Sequence, residues 1–245
     1  PLAFVAAKLA LGFSLAEIKN TVTQKTVAFF EPALDYVVIK IPRWDIHKFR
    51  SADRRIGTEM KSVGEVMAIG KSFPEALQKA TRMLNIGASG ITDYPHPIDN
   101  PKHEIQQATD RRLFVLYHFF MKGGSIDEAH RLSQIDRWFL QQIHRIAKAE
   151  QSLKKQPLSG SVLKEAKKLG FSDHAIAKIK HLDAQKVRAL RLKHGIIPCI
   201  KQIDTLAGEF EAKTNYLYLT YHGSAHDIHP SSKSPVIVLG SGPYC

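Results

Sequence analysis

Residues 159–194 read SGSVLKEAKKLGFSDHAIAKIKHLDAQKVRALRLKH, and the fold class of the chain follows from them. Apolar residues recur here at helical spacing within three short runs. The helices predicted from these runs span 159–169, 172–180 and 183–194. Gly170 ends the first run, and Ser172 and Asp183 stand where helix N-caps belong. The stretch therefore predicts short helices joined by tight turns.

Helical periodicity continues on both sides of this stretch, from residue 104 to about residue 230. The further predicted helices are 104–122, 125–131, 133–156 and 202–212. Ser125 followed by Glu128 is a capping-box pattern, which marks one helix start. Trp138 and Phe139 are expected to be buried between helices, as large aromatic residues usually are. This part of the chain is predicted to be almost entirely helical.

Residues 1–84 mix helical and extended patterns. The predicted elements are a packed helix ending near Gly12, a helix beginning at Ser14 with Glu17 as its capping partner, a strand over 36–41 stopped by Pro42, a strand over 62–70, and a helix over 72–84. Two linkers, 85–103 and 222–235, are rich in Pro, Gly and other polar residues. The fold class expected for the chain is therefore α+β.

The charge distribution raises the question of nucleic-acid binding. The 245 residues are 44% apolar and 24% charged, which excludes a mostly disordered chain, and the net charge is +12. Residues 145–201 contain 14 Lys and Arg against 4 Asp and Glu. A basic run of short helices is compatible with a helix-turn-helix module that binds nucleic acid. A solvated basic face on a helical bundle is the simpler interpretation, and we favour it.

Cysteines and apolar runs limit the class of protein further. Cys199 and Cys245 are the two cysteines, and two are too few for a disulfide framework, so a reducing compartment is expected. No apolar run approaches the ~20 residues of a membrane span. The chain begins within a helical pattern and ends in a strand and the glycine turn Gly240–Pro243, so we expect it to be an internal segment of a longer protein.

Two groups of residues suggest chemistry. His222, His226 and His229, with Asp227, lie in one loop, but their spacing matches no standard zinc pattern and metal binding is not expected there. Glu65 interrupts the apolar run SVGEVMAIG. It is either an edge residue or an interior carboxylate, and an interior carboxylate needs a cationic partner. The expected partners are Arg54, Arg55 and Lys61.

Several long blocks resemble the large chain of carbamoyl-phosphate synthetases, in the order in which that family has them. The blocks are VAAKLALGFSLAEIKN, FEPALDYVVIKIPRWDIHKF, TEMKSVGEVMAIGKSFPEALQKA, IDRWFLQQI, KKLGFSDHAIA, KQIDTLAGEF with TNYLYLTY, and VIVLGSGPY. They cover nearly the whole chain. One departure is Cys245, where the family commonly has a basic residue after the glycine turn.

The resemblance implies a layout of three parts. Residues 1–84 would be the C-terminal part of the first ATP-grasp α/β domain, the carboxyphosphate half. Residues 85–230 would be a helical oligomerisation domain, and residues 231–245 the first strand and turn of the carbamoyl-phosphate half. The full chain would be an ATP-dependent ligase that makes carbamoyl phosphate, for pyrimidine and arginine biosynthesis or the urea cycle. The 245 residues alone would be inactive.

The resemblance also assigns roles to single residues. Thr58 matches a position near the nucleotide of the first site, and Met60, Val63 and Glu65 match positions that line an internal passage for carbamate. No catalytic residue and no metal ligand is expected in this segment, because the family's main ligands for ATP and Mg²⁺ or Mn²⁺ lie outside it. The implied partners are a glutamine amidotransferase and further copies of the chain bound through 85–230, with no membrane and no nucleic acid. The implied location is cytoplasmic, or mitochondrial for a urea-cycle type.

Overall fold

A computed structural model describes residues 2–21, 26–49, 51–203 and 216–228, together with the single positions 236 and 240. The elements begin with α1 (Leu2–Ala10), β1 (Val37–Arg43), a 3₁₀ turn (Ile46–Lys48), β2 (Gly64–Gly70) and α2 (Phe73–Met83). The helical part follows with α3 (Pro101–Glu104), α4 (Arg112–Met121), α5 (Ile126–Ser133), α6 (Arg137–Lys155), α7 (Gly160–Lys168), α8 (Asp173–Lys180) and α9 (Ala184–Lys193). Two further strands are β3 (Cys199–Gln202) and β4 (Leu217–Thr220). The mixture of helices and small sheets confirms the α+β class.

The strands form two antiparallel pairs, β1 with β2 and β3 with β4. In the first pair Val37 lies opposite Gly70, and Arg43 lies opposite Gly64. The prediction that Pro42 ends the first strand is wrong, since β1 continues through Pro42 to Arg43. Among the described residues β1 pairs on one side only, and a proline is tolerated on such an edge strand because it has no N–H to donate.

The second pair corrects the prediction of an all-helical region. Residue 202, expected to begin a helix, lies in β3 instead, and residues 204–212 of that predicted helix lie outside the described residues. Cys199 pairs with Thr220 and Gln202 with Leu217. The strands are only four residues long, too short for an alternating pattern to stand out from the helical periodicity around them.

Helix boundaries follow the local capping chemistry in most places. The N-cap hydroxyls of Ser72, Ser125 and Ser172 accept hydrogen bonds from the backbone N–H three residues later. Asp183 likewise accepts from the N–H of Gln185. These starts were predicted from the sequence.

Three other helix predictions are wrong in part. Ser14 and Glu17 make the side-chain contacts of a capping box, with the Ser14 N–H donating to Glu17 Oε2 at 2.8 Å, but only a turn follows. The predicted helix 104–122 is divided, because residues 105–111 form a turn region between α3 and α4. Helix α1 ends near Gly12 as predicted, but none of its residues is buried, so the described residues do not show the packed helix that the sequence predicts.

The core is one continuous apolar cluster that joins the first hairpin to the helices. Val66 of β2 and Leu77 of α2 belong to it together with Leu140 of α6, Ile176 of α8 and Val187 of α9. Trp138 and Phe139 were expected to be buried, but their exposed fractions are 49% and 44%. Both rings contact Phe73 at centroid distances of 5.4 Å, on the rim of the cluster and not inside it.

Replacing Ser172 with alanine should destabilise the fold by about 1 kcal/mol, because it removes the cap that Ala175 N–H uses at 3.0 Å. Chemical denaturation of the full-length chain that contains this segment measures the change. Ser51→Ala is the control, since Ser51 is exposed in a turn and caps no helix. Equal stability of Ser172→Ala and the control would contradict this assignment.

No helix in the described part of the chain is both long enough and apolar enough to cross a membrane.

Candidate functional site

Three of the residues with roles implied by the resemblance fall within the segment 53–63, and the fourth, Glu65, lies at the start of β2. We take this segment and the start of β2 as the candidate site. It is anchored to the beginning of the helical part. Arg54 Nε donates to Asp110 Oδ1 at 3.0 Å, and Arg54 Nη2 donates to Asp110 Oδ2 at 2.6 Å. The backbone N–H of Ile56 donates to Ala108 O at 2.6 Å. These bonds join residues more than fifty positions apart in the chain.

Lys61 binds the backbone at the start of the same segment. Its ammonium donates to the carbonyl oxygens of Arg55, at 2.8 Å, and of Asp53, at 3.3 Å. The backbone N–H of Val63 then donates to Arg43 O at 2.9 Å, which leads the chain into β2. Residues 53–63 therefore have a defined path although they contain no helix or strand.

The four predicted residues are exposed to different degrees along this path. Thr58 and Met60 lie at the outer end, and Met60 is 90% exposed. Side chains along an extended chain point alternately to its two faces, and Val66 points to the buried face of β2. Val63 and Glu65 therefore both project to the opposite, exposed face. The structure thus brings Val63 and Glu65 together on one face, whereas Thr58 and Met60 are exposed residues earlier in the same stretch.

Glu65 does not pair with Arg54, Arg55 or Lys61 as expected. Its carboxylate lies 2.8 Å from the ammonium of Lys40 on the neighbouring strand, and both side chains are more than half exposed. Val38 and Met67 are exposed on the same hairpin. We call Val38, Lys40, Val63, Glu65 and Met67 the outer face of the hairpin. It is an apolar surface that carries one ion pair.

A recess of about 400 Å³ opens beside Val63. Its polar lining is Asp45, Asp53, Glu59 and Lys61. Hydrogen bonds from Lys48 and Arg43 hold the pKa of Asp45 below its ordinary value, although burial opposes this. Three carboxylates around one small recess make it unsuitable for an anion at neutral pH.

A cluster around the buried Glu75 holds β4 against α2, and the sequence did not predict it. Glu75 is 1% exposed. Its carboxylate accepts from the Thr220 hydroxyl at 2.9 Å and from the Lys71 N–H at 3.0 Å, and it pairs with the Lys79 ammonium at 2.8 Å. The signal in the sequence was Glu75 three residues after Ser72, a capping-box spacing that says nothing of a partner 145 residues away.

A second buried cluster joins α7, α8 and α9. Asp173 accepts from Lys167 Nζ at 2.8 Å and from Arg191 Nη2 at 3.1 Å. Both cations also lie over the ring of Tyr221, at 5.0 Å for Lys167 and 5.7 Å for Arg191. Burial raises the pKa of an isolated carboxyl, but the hydrogen bonds from the two cations lower the pKa of Asp173 below its ordinary value.

The stability of the protein should therefore depend on Asp173 in acid. A carboxyl whose folded-state pKa is lowered contributes stability above its unfolded pKa, and this contribution is lost as the pH falls through the folded pKa. The difference in unfolding free energy between wild type and Asp173→Asn should be largest at neutral pH and should decrease below about pH 4. Denaturation of both full-length proteins across this pH range measures this difference. A difference that stays constant with pH would contradict the assignment.

The basic run 145–201 is used largely within the fold. Besides Lys167 and Arg191, its cations form pairs that include Lys154 with Glu150, Lys178 with Asp93 and Lys201 with Asp227. Lys180 donates to two backbone carbonyl oxygens near the end of α6. The exposed pairs fit the solvated basic face that the sequence predicts, whereas Lys167 and Arg191 are buried. None of these contacts supports the nucleic-acid alternative.

The described residues of the histidine loop do not assemble a metal site. His226 Nδ1 accepts from the Ile200 N–H at 3.0 Å, and Asp227 is engaged by Lys201 and by the Gln202 N–H. His222 lies apart, 2.9 Å from the carbonyl oxygen of Lys168. Within the ranges that the structure describes, no three His, Cys, Asp or Glu side chains could hold a metal ion. His229 and Cys245 lie outside those ranges.

Comparison with known proteins gives consistent relatives over the whole chain. It is 47% identical over 249 residues to the multifunctional protein pyr1-3 of Dictyostelium discoideum, covering 100% of this chain and 11% of the relative. It is 46% identical over 254 residues to the human mitochondrial carbamoyl-phosphate synthase [ammonia], covering 100% of this chain and 17% of that protein. It is also 46% identical over 244 residues to the carbamoyl phosphate synthase large chain of Methanothermobacter thermautotrophicus, covering 99% of this chain and 22% of the relative.

These relatives are much longer than the chain, which spans less than a quarter of any of the three. A family model described as "Carbamoyl-phosphate synthetase large chain, oligomerisation domain" matches residues 65–195, more than half of the chain. The chain belongs to the carbamoyl-phosphate synthetase large-chain family, as the resemblance of its sequence blocks implied.

Proposed function

We propose that the parent protein of this chain makes carbamoyl phosphate from bicarbonate, ammonia and two molecules of ATP. The observation that carries this proposal is near-half identity, across the whole chain, to proteins named carbamoyl-phosphate synthase. The ammonia would come from glutamine through an amidotransferase subunit or domain. A cytoplasmic location belongs to the same proposal, with a mitochondrial one if the parent is of the type named in the human relative.

The segment would occupy the junction between two catalytic halves. In this layout residues 1–84 end an ATP-grasp domain, residues 85–230 form the helical oligomerisation domain, and residues 231–245 begin the second half. The family match over 65–195 supports the central part. Trp138 and Phe139, exposed beside Phe73, are apolar surface of the kind that contacts between copies of a chain bury.

Within this layout the outer face of the hairpin would form part of the wall of a passage for carbamate. Val63, Met67 and Val38 present an apolar surface, and the pair of Glu65 with Lys40 presents one fixed charge of each sign. Apolar surface excludes bulk water, which would hydrolyse a labile intermediate. The ion pair leaves no net charge on the wall, so a small anion is neither repelled nor held tightly there.

Nucleotide and metal would be held chiefly by residues outside this segment. The described residues contain no group of carboxylates or histidines suited to Mg²⁺. Thr58 is exposed, and its hydroxyl could make a single hydrogen bond to a nucleotide at the edge of the first site. The fit is therefore limited to one peripheral contact, and the phosphoryl chemistry that ATP supplies would take place elsewhere in the parent protein.

The direct test is an assay of the full-length chain that contains this segment. With bicarbonate, ammonia, ATP and Mg²⁺ it should form carbamoyl phosphate, and the 245 residues alone should form none. ADP and carbamoyl phosphate are quantified in parallel. Absence of carbamoyl phosphate from a folded full-length chain, or its formation by the isolated segment, would contradict the proposal.

A further inference from the structure

A cleft of about 600 Å³ lies on the other side of the hairpin, where β1, the end of α2 and the start of α4 meet. A volume of this size is typical of sites for small organic ligands. Its apolar lining is Trp44, Leu77, Leu84, Ile86, Tyr94, Leu113 and Phe114. None of the four residues with implied roles lines it, although Lys40 of the outer face does.

The cleft has one flat aromatic wall. The rings of Tyr94 and Phe114 are stacked, with their centroids 4.2 Å apart and an interplanar angle of 16°. Burial raises the pKa of Tyr94, so its phenol stays protonated at neutral pH and can donate a hydrogen bond. A planar ring is the shape that packs best against such a wall.

The polar lining of the cleft is strongly cationic. It consists of Lys40, Arg43, Arg54, Arg111 and Arg112, together with a single carboxylate, Asp110, and the polar groups of Asn85, His96 and Thr109. Four of the cations pair with carboxylates, namely Lys40 with Glu65, Arg43 with Asp45, Arg54 with Asp110 and Arg111 with Glu104.

Arg112 differs from those four. It donates to the carbonyl oxygens of Ile105, at 3.3 Å, and Ser133, at 2.6 Å. In the described part of the chain it has no carboxylate within ion-pair distance. Its neighbour Arg111 donates from Nη2 to Pro97 O, but its Nε is buried and, among the described residues, has no hydrogen-bond partner. Arg112 thus has a positive charge that no described carboxylate neutralises, while Arg111, which pairs with Glu104, has one donor atom without a partner.

A guanidinium without a counter-ion carries a free-energy cost that an anion would remove. A carboxylate or phosphate would supply that counter-ion to Arg112, and the aromatic wall favours a ring attached to it. We infer that this cleft binds a small organic anion, a flat apolar ring bearing one carboxylate or phosphate, with its anionic head at Arg111 and Arg112 and its ring beside Tyr94 and Phe114. The chemistry is shared by aromatic acids and by phosphate esters of aromatic alcohols.

Calorimetric titration of the full-length chain tests this inference with three matched probes. They are 1-naphthoate, 1-naphthyl phosphate and the neutral 1-naphthamide. At least one anionic probe should bind with saturation, and the amide should bind about tenfold more weakly, because it lacks the charge that the guanidinium groups attract. The ratio of affinities for the two anions distinguishes a carboxylate site from a phosphate site.

Two variants assign the binding to this cleft. Arg112→Gln removes the charge, and Ile86→Trp fills the cleft without changing charge. Each variant should lower the affinity for the anionic probe by about tenfold or more. If Arg112→Gln fails to fold, the Ile86→Trp variant and the comparison of anion with amide still test whether an anion binds in the cleft. The inference is overturned if neither anion binds at millimolar concentration, if the amide binds as well as the anions, or if Ile86→Trp leaves anion affinity unchanged.

Discussion

Replacing Asp173 with alanine should cost about 3–5 kcal/mol of unfolding free energy, because it leaves two buried cations without a counter-ion. The side chains of Lys167 and Arg191 are each 6% exposed, so water cannot replace the carboxylate. Burial already lowers the pKa of Lys167. The cluster ties three short helices together at Tyr221, and its loss should loosen all three.

Chemical denaturation of the full-length chain measures this cost. Asp127→Ala is the matched control, since Asp127 pairs with Arg137 in an exposed ion pair on α5 and α6. Exposed pairs contribute about 0–1 kcal/mol, so the control should be nearly neutral. A cost for Asp173→Ala no larger than that of the control would show that the cluster does not stabilise the fold as the distances suggest.

The second large effect is expected on product formation. In the full-length chain, Glu65→Ala should leave bicarbonate-dependent ATP hydrolysis near its wild-type rate while carbamoyl phosphate falls several-fold. The substitution leaves Lys40 unpaired on the outer face of the hairpin. An unpaired cation there would hold a passing anion and admit water to it. Stability should change little, because Lys40 and Glu65 are both exposed.

Much of the fold was predictable because the signals are local. Helices α2 and α5 to α9 have caps and apolar periodicity within their own residues, and the strands near Ile39 and Val66 are rich in β-branched residues. The exceptions arise where short-range and long-range requirements differ. Ser14 and Glu17 form the cap contacts, but the turn that follows them buries too little apolar surface to continue as a helix.

The site was predictable only in part, since its geometry depends on residues distant in the chain. Glu65 could be recognised as an unusual carboxylate, but its partner was set by the register of β1 on β2, which places Lys40 opposite Met67. The anchor of Arg54 on Asp110 spans 56 positions. Nothing in the local sequence of either residue marks such a contact, and only the packing of residues 53–63 against the segment before α4 brings the two together.

The most direct test of the proposed role of this segment is the ratio of carbamoyl phosphate formed to ADP released by full-length Glu65→Ala. Glu165→Ala is the control, because Glu165 is an exposed carboxylate on α7, outside the candidate site. We predict a ratio several-fold below wild type for Glu65→Ala and an unchanged ratio for Glu165→Ala. Equal loss of ATP hydrolysis and product in Glu65→Ala, with the ratio preserved, would contradict a role in the passage.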